Sequence, residues 1–272
     1  MRGTVQEGTV QKKGDDDVTT SSDEQEAHLR HPHEMPERYM QMMALKETAV
    51  MLLYPGMTAL DLTGPQYVFA SMMGLNVQLV AKTPEPVRCD TGIVIMPDMT
   101  FDECASQPTV LFVPGGADGT LAAMRDAETV AFVRSRGERA AYVTAVCTGS
   151  LLLGAAGLLR GYRATSHWLA RGLLAHAGAE PVAERVVFDR NRVTGAGVTA
   201  GIDFALALAG VMRGDDYARA LQLMAEYDPQ PPYRAGTPEE AGPEATALLA
   251  SMVGDFMVEA RQTLTDAYEG ER

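Results

Sequence analysis

The sequence predicts an α/β fold with a mostly parallel sheet covered by helices on both faces. Short apolar runs alternate along the chain with stretches of helical spacing. The runs themselves lack in–out alternation, which fits strands buried on both faces. Several of them end in turn residues, and in such sheets sites gather at the carboxyl ends of the strands.

The elements follow in order. Thr48 to Tyr54 is a continuous apolar run, closed by a Pro55-Gly56 turn. Asp61 to Met73 has helical spacing, and Leu75 to Ala81 reads as a second strand. Val87 to Pro97 suggests a hairpin, and Thr109 to Val113 a buried strand ending in Pro114-Gly115-Gly116. Asp118 to Arg139 supplies one or two helices. Ala140 to Val146 is a strand that turns at Cys147 into a helix from Thr148. Arg163 to Ser166 reads as a short strand and Trp168 to Ala177 as a helix. Pro181 to Asp189 and Arg192 to Thr194 form a hairpin, and Gly197 to Met212 a long apolar helix. Tyr227 to Tyr233 is an extended proline-rich arm. Beyond Pro243, Leu248, Leu249, Met252, Val253, Phe256, Met257, Ala260 and Leu264 recur at spacings of three and four, the mark of an amphipathic helix. Three segments result: a polar extension over 1–45 that cannot offset its ordering entropy, a domain over 46–240, and a C-terminal amphipathic helix over 241–272.

A hydrophobic content of 46% supports a sizeable core. The net charge of -13 opposes nucleic acid and anionic membrane surfaces, both polyanions. No apolar run reaches the roughly 18 residues of a membrane helix. Three cysteines, Cys89, Cys104 and Cys147, imply no disulfide framework, which suits a cytoplasmic protein. His28, His31 and His33 lie in the polar extension, which offers no shaped site, so no metal site is expected. Neither a P-loop nor a dinucleotide fingerprint follows the first strand.

Cys147 is the residue richest in chemistry. A thiol at the N-terminus of a helix meets the positive end of the dipole, which favours the nucleophilic thiolate. A buried packing role is the alternative. Gly115-Gly116 can expose backbone N–H groups which, beside that of Thr148, would form an oxyanion pocket; without the cysteine a simple tight turn would be the better reading. Asp61 either caps a helix, worth about 0.5–2 kcal/mol, or faces the thiol as a proton donor. His167 follows Cys147 at a distance in sequence that leaves their separation in space open.

Taken together, Leu60-Asp61-Leu62-Thr63-Gly64-Pro65, Val113-Pro114-Gly115-Gly116-Ala117, Val146-Cys147-Thr148-Gly149-Ser150, Ala164-Thr165-Ser166-His167-Trp168 and Tyr227-Asp228-Pro229-Gln230-Pro231-Pro232-Tyr233 occur in an order that resembles the ThiJ/PfpI superfamily. Within it they resemble the isonitrile hydratase branch. The resemblance implies a flavodoxin-like three-layer sandwich, of the class I glutamine amidotransferase-like kind, with a cysteine nucleophile elbow. It implies a cytoplasmic homodimer acting on a small molecule without a cofactor, Cys147 as nucleophile and Asp61 as its acidic partner. Gly116 and Thr148 match positions whose N–H groups face the reacting centre; Gly115, His167 and Trp168 would line the substrate pocket. The protease-like branch carries His directly after the cysteine, where this chain has Thr148. The sensory domain of AraC-type regulators shares related stretches, so a redox or ligand sensor and a glyoxalase-like enzyme stand as alternatives to an isonitrile hydratase.

Overall fold

The computed structural model describes residues 36–270. The chain divides after Met40 into two units, and the sheet and site belong to the second. Residues 1–35, with His28, His31 and His33, lie outside the described residues. A helix, α1 (Glu37–Met43), spans the division and buries none of its side chains.

The apolar run after it forms β1 (Glu47–Leu52), followed by α2 (Ala59–Ala70) and β2 (Leu75–Ala81). A small hairpin pairs β3 (Val87–Arg88) with β4 (Val94–Ile95), and β5 (Met99–Thr100) adds an edge to β2. Then come β6 (Val110–Val113), α3 (Ala117–Arg125), α4 (Ala127–Gly137), β7 (Tyr142–Val146) and α5 (Gly149–Ala155). Short β8 (Arg163–Ala164) pairs with β9 (Glu180–Pro181) across a 3-10 helix (Arg171–Ala177). The hairpin β10 (Val186–Asp189) and β11 (Arg192–Gly195) precedes α6 (Ala200–Arg213), α7 (Asp215–Met224), α8 (Pro238–Ala241), α9 (Pro243–Ser251) and α10 (Gly254–Gly270).

Seven strands form the main sheet in the order β10-β11-β7-β6-β1-β2-β5. All its pairings are parallel except β10 with β11. This is the flavodoxin-like α/β arrangement. The chain moves outward from β1 through β2 on one side and from β6 through β7 on the other. The carboxyl ends of β1 and β6 therefore diverge and leave a crevice, the usual site position in such sheets. Asp61 follows β1, Gly115 follows β6 and Cys147 follows β7, so the three converge there.

Helices α2, α6 and α7 cover one face. Phe69 of α2 meets Phe112 of β6 and Phe204 of α6 edge-on, and Phe112 and Phe204 stack at 5.8 Å, which locks helices to sheet. Helices α3, α4 and α5 cover the other face, with α10 packed over α3, α5 and the 3-10 helix.

Two elements differ from their sequence pattern. The predicted helix over Trp168 to Ala177 is the shorter 3-10 helix, which ends at left-handed Gly178. The single C-terminal helix is two, α9 and α10, broken just before Gly254. Glycine in a helix interior costs about 1 kcal/mol relative to alanine. Phe256, Ala260 and Leu264 are buried as the spacing predicts, whereas Leu248, Leu249 and Met252 are exposed.

Candidate active site

Cys147 occupies a backbone conformation that a side chain rarely adopts, with φ 56°. Such strain costs about 1–3 kcal/mol and persists only where surroundings hold it. Here four hydrogen bonds do so. The Cys147 N–H donates to the carbonyls of Ala196 (2.7 Å) and Gly195 (3.2 Å). The Cys147 carbonyl accepts from Ser166 Oγ (2.8 Å) and Ser150 Oγ (3.1 Å). Neither serine stands out in the sequence as functional. Ser150 could have been found from its place three residues after the elbow, within reach of that carbonyl. Ser166 is distant in sequence and carries no such signal.

Asp61 is fully buried in the first turn of α2. It does not cap that helix, whose N-cap is Thr58. Its Oδ2 instead accepts from Gly115 N–H across the crevice (2.9 Å), and its Oδ1 has no partner of regular geometry. The Cys147 thiol contacts this carboxyl through a hydrogen bond that affects the charge of both groups. Gly115 must be glycine: a Cβ there would lie 2.6 Å from Thr148 N and 2.8 Å from Asp61 Oδ2.

A buried chain of hydroxyls supports the loop. Tyr54 Oη donates to the Pro114 carbonyl (2.6 Å). Each hydroxyl has one proton, so Tyr54 accepts from Thr120 (3.0 Å) and Thr120 accepts from Thr148 Oγ1 (2.9 Å). Thr148 Oγ1 in turn accepts from Gly116 N–H (2.9 Å). At sulfur, the Thr148 backbone N–H favours a thiolate and the Thr148 side chain adds to it less strongly.

Two sequence expectations need correction. Gly116 N–H is occupied by Thr148 Oγ1 and so is not free for an oxyanion; the neighbouring Gly115 N–H is bound to Asp61. The helix terminus also fails to make Cys147 a resting thiolate. Burial pushes the thiol far above its usual pKa and the Asp61 charge adds to this, outweighing the Thr148 N–H. Burial likewise raises the Asp61 carboxyl from 3.8 to about 6, against the bonds from Gly115 and Cys147, with Asp90 pushing it further up. The cause is desolvation and not thiolate repulsion. At neutral pH the pair therefore holds one proton, on sulfur, beside an ionised carboxylate.

His167 and Trp168 line a cavity of about 520 Å³ together with Ala196 and Gly197. Ala196 is the residue whose carbonyl holds the Cys147 N–H. Burial lowers the His167 pKa, so its ring is neutral. Its Nδ1 accepts from Leu169 N–H (3.4 Å) and it makes no hydrogen bond to Cys147. Gly115 lies between Asp61 and Thr148 and is not part of that wall.

The model of the DJ-1/PfpI family matches residues 47–210, which hold Asp61, Gly115, Cys147 and His167. The chain belongs to the DJ-1/PfpI family. Among its relatives in that family, an isonitrile hydratase from Pseudomonas putida is 51% identical over 190 residues, covering 70% of this chain and 82% of that protein. A THiJ/PfpI family protein from Pseudomonas syringae superimposes with a TM-score of 0.80 at 50% identity, covering 86% of this chain and 98% of that one. An HTH-type transcriptional regulator from Pseudomonas aeruginosa is 33% identical over 144 residues, 52% of this chain but 38% of the regulator. Among the described residues no helix is long and apolar enough to cross a membrane.

Proposed function

We propose that the chain hydrates an isonitrile, R–N≡C, to an N-substituted formamide, with Cys147 as nucleophile and Asp61 as proton carrier. The observation behind this reading is a fully buried carboxyl in hydrogen-bond contact with a thiol held at a strained elbow. The similarity to an isonitrile hydratase supports the substrate class.

The chemistry follows from where the proton rests. Sulfur adds to the electrophilic terminal carbon as its proton passes to Asp61 Oδ1, and the Thr148 N–H eases the charge on sulfur in transit. The addition leaves an electron pair on that carbon, and Asp61 returns the proton there, giving a thioimidate, R–N=CH–S–Cys147. Water then adds across C=N: its oxygen bonds carbon, one proton goes to Asp61, and Asp61 delivers a proton to nitrogen. The tetrahedral adduct collapses by breaking C–S; sulfur takes up the hydroxyl proton and R–NH–CHO departs. Asp61 and Cys147 end as they began. Gly115 N–H, bound to Oδ2, leaves Oδ1 to carry the proton. The neutral ring of His167 is assigned to the pocket wall with Trp168.

Purified protein with a simple isonitrile should release the formamide catalytically. Cys147→Ala and Cys147→Ser should abolish turnover, and activity surviving in either refutes the mechanism. Asp61→Asn should fold yet lose at least about a hundredfold in kcat, within the usual range for general acid–base catalysis. We propose further that the functional unit is a cytoplasmic homodimer. The similarity to a transcriptional regulator favours a ligand sensor as the second reading; one equivalent of isonitrile consumed without turnover would select it.

A further inference from the structure

The cavity beside the elbow holds four charged side chains, Arg171, Glu184, Arg185 and Glu239. Three of them have partners. Glu184 pairs with Arg163 (3.1 Å), and Arg185 pairs with Asp203. The Glu239 carboxylate accepts from its own N–H and from Thr237, at the start of α8. Arg171 differs: among the described residues its guanidinium makes no hydrogen bond or ion pair, and Glu239 attracts it without contact. It stands half-buried at the head of the 3-10 helix, three residues after Trp168 in the same wall.

A guanidinium carries a planar fork of donors suited to a carboxylate. Left unpaired on the wall of a cavity whose other charges are satisfied, it is complementary to an anionic ligand. Gly236 to Glu239 also line the cavity and lie outside the 47–210 match to the family model. We infer that this cavity binds the carboxylate of an anionic ligand through Arg171, so that the isonitriles this chain accepts carry a carboxylate at the end remote from the isonitrile carbon. The second clause rests on the proposed hydration; the first does not.

Trp168 is the single tryptophan of the chain and lines the cavity, so its fluorescence reports occupancy. In the Cys147→Ala variant, 4-formamidobenzoate should change that fluorescence saturably, and uncharged formanilide should bind at least about tenfold more weakly. Added salt should narrow the difference by screening. Arg171→Gln should remove the preference for the acid, and Arg171→Lys should restore part of it, since a charge remains without the fork. Steady-state kinetics on the wild type extend the test. The ratio of kcat/KM for 4-isocyanobenzoate over phenyl isocyanide should exceed one, and Arg171→Gln should lower it about ten- to a hundredfold, chiefly through KM. Equal binding of acid and neutral compound, or a preference that survives Arg171→Gln, overturns the inference. If neither isonitrile turns over while the fluorescence preference for the acid is present and depends on Arg171, the hydratase reading fails and the anion site stands.

Discussion

Burying Asp61 with no cation beside it works against folding once the carboxyl ionises. Its pKa is about 6 in the folded protein against 3.8 for the free group. Between those values the native state holds a proton that the unfolded chain has released, so stability falls as pH rises through that window. Above pH 6 the accumulated loss is about 3 kcal/mol. Asp61→Asn keeps an oxygen for Gly115 N–H and removes the ionisation. Urea unfolding should therefore find the variant more stable than wild type by about 2–3 kcal/mol at pH 7.5 and close to it at pH 4. A variant no more stable at pH 7.5 would contradict the burial argument. The same group sets the rate: kcat/KM should rise with pH through about 6 as Asp61 becomes able to take the thiol proton. A thiol that must ionise first would move that rise to alkaline pH. Both residues are legible in the sequence as chemical types at strand ends. Their proton is not, because the helix dipole is a local feature whereas desolvation depends on everything packed around the pair.

The elbow is a construction of several elements, and its weak points are glycine and serine. At Gly115 an added methyl would press on Thr148 and Asp61 together. Gly115→Ala should displace the carboxyl from the thiol and cut kcat at least tenfold. Circular dichroism showing an intact fold would separate that effect from unfolding. Ser150 and Ser166 reach one carbonyl from α5 and from the segment after β8. Removing both leaves a buried acceptor unsatisfied on a strained residue, at a cost of about 1–3 kcal/mol. The double Ala variant should lose more than the two single variants summed, because either serine alone still satisfies the carbonyl; additive losses would argue against the shared role. The strands were readable because β1, β6 and β7 are short, mostly apolar runs, and a run of that kind has few alternatives. The Ser166 contact was not, since it closes through β-sheet order and not through spacing along the chain. The broken C-terminal helix shows the converse limit: its apolar stripe continues through Met252, yet burial begins only at Phe256, where α10 reaches the surface of α3 and α5.

At the scale of the whole molecule, alternation of strand and helix predicts the layered sheet. The crevice between β1 and β6 then brings together three turns that are far apart in sequence. What the chain alone leaves open is which apolar side chains remain outside. Leu60 and Tyr67 on α2, and Ile93, Val94 and Met96 in and beside β4, are all exposed. The two elements are tied to each other. Thr58 Oγ1 donates to Asp90 (2.7 Å), Gly56 N–H donates to the Arg88 carbonyl (2.8 Å), and Asp90 N–H donates to the Met57 carbonyl (3.0 Å). An acidic chain gains solubility from its net charge of -13, so uncovered apolar side chains held on two linked elements suit association with a second copy. A two-fold interface uses the same patch twice, so a charge placed in it is met by its own copy and repels. Light scattering should give twice the chain mass for the wild type. Ile93→Glu combined with Met96→Glu should shift it to the mass of one chain, and Leu248→Glu with Met252→Glu on the exposed part of the C-terminal stripe should leave it doubled. A wild type that runs as one chain would refute the homodimer, and a dimer broken only by the second pair would place the interface on the C-terminal stripe.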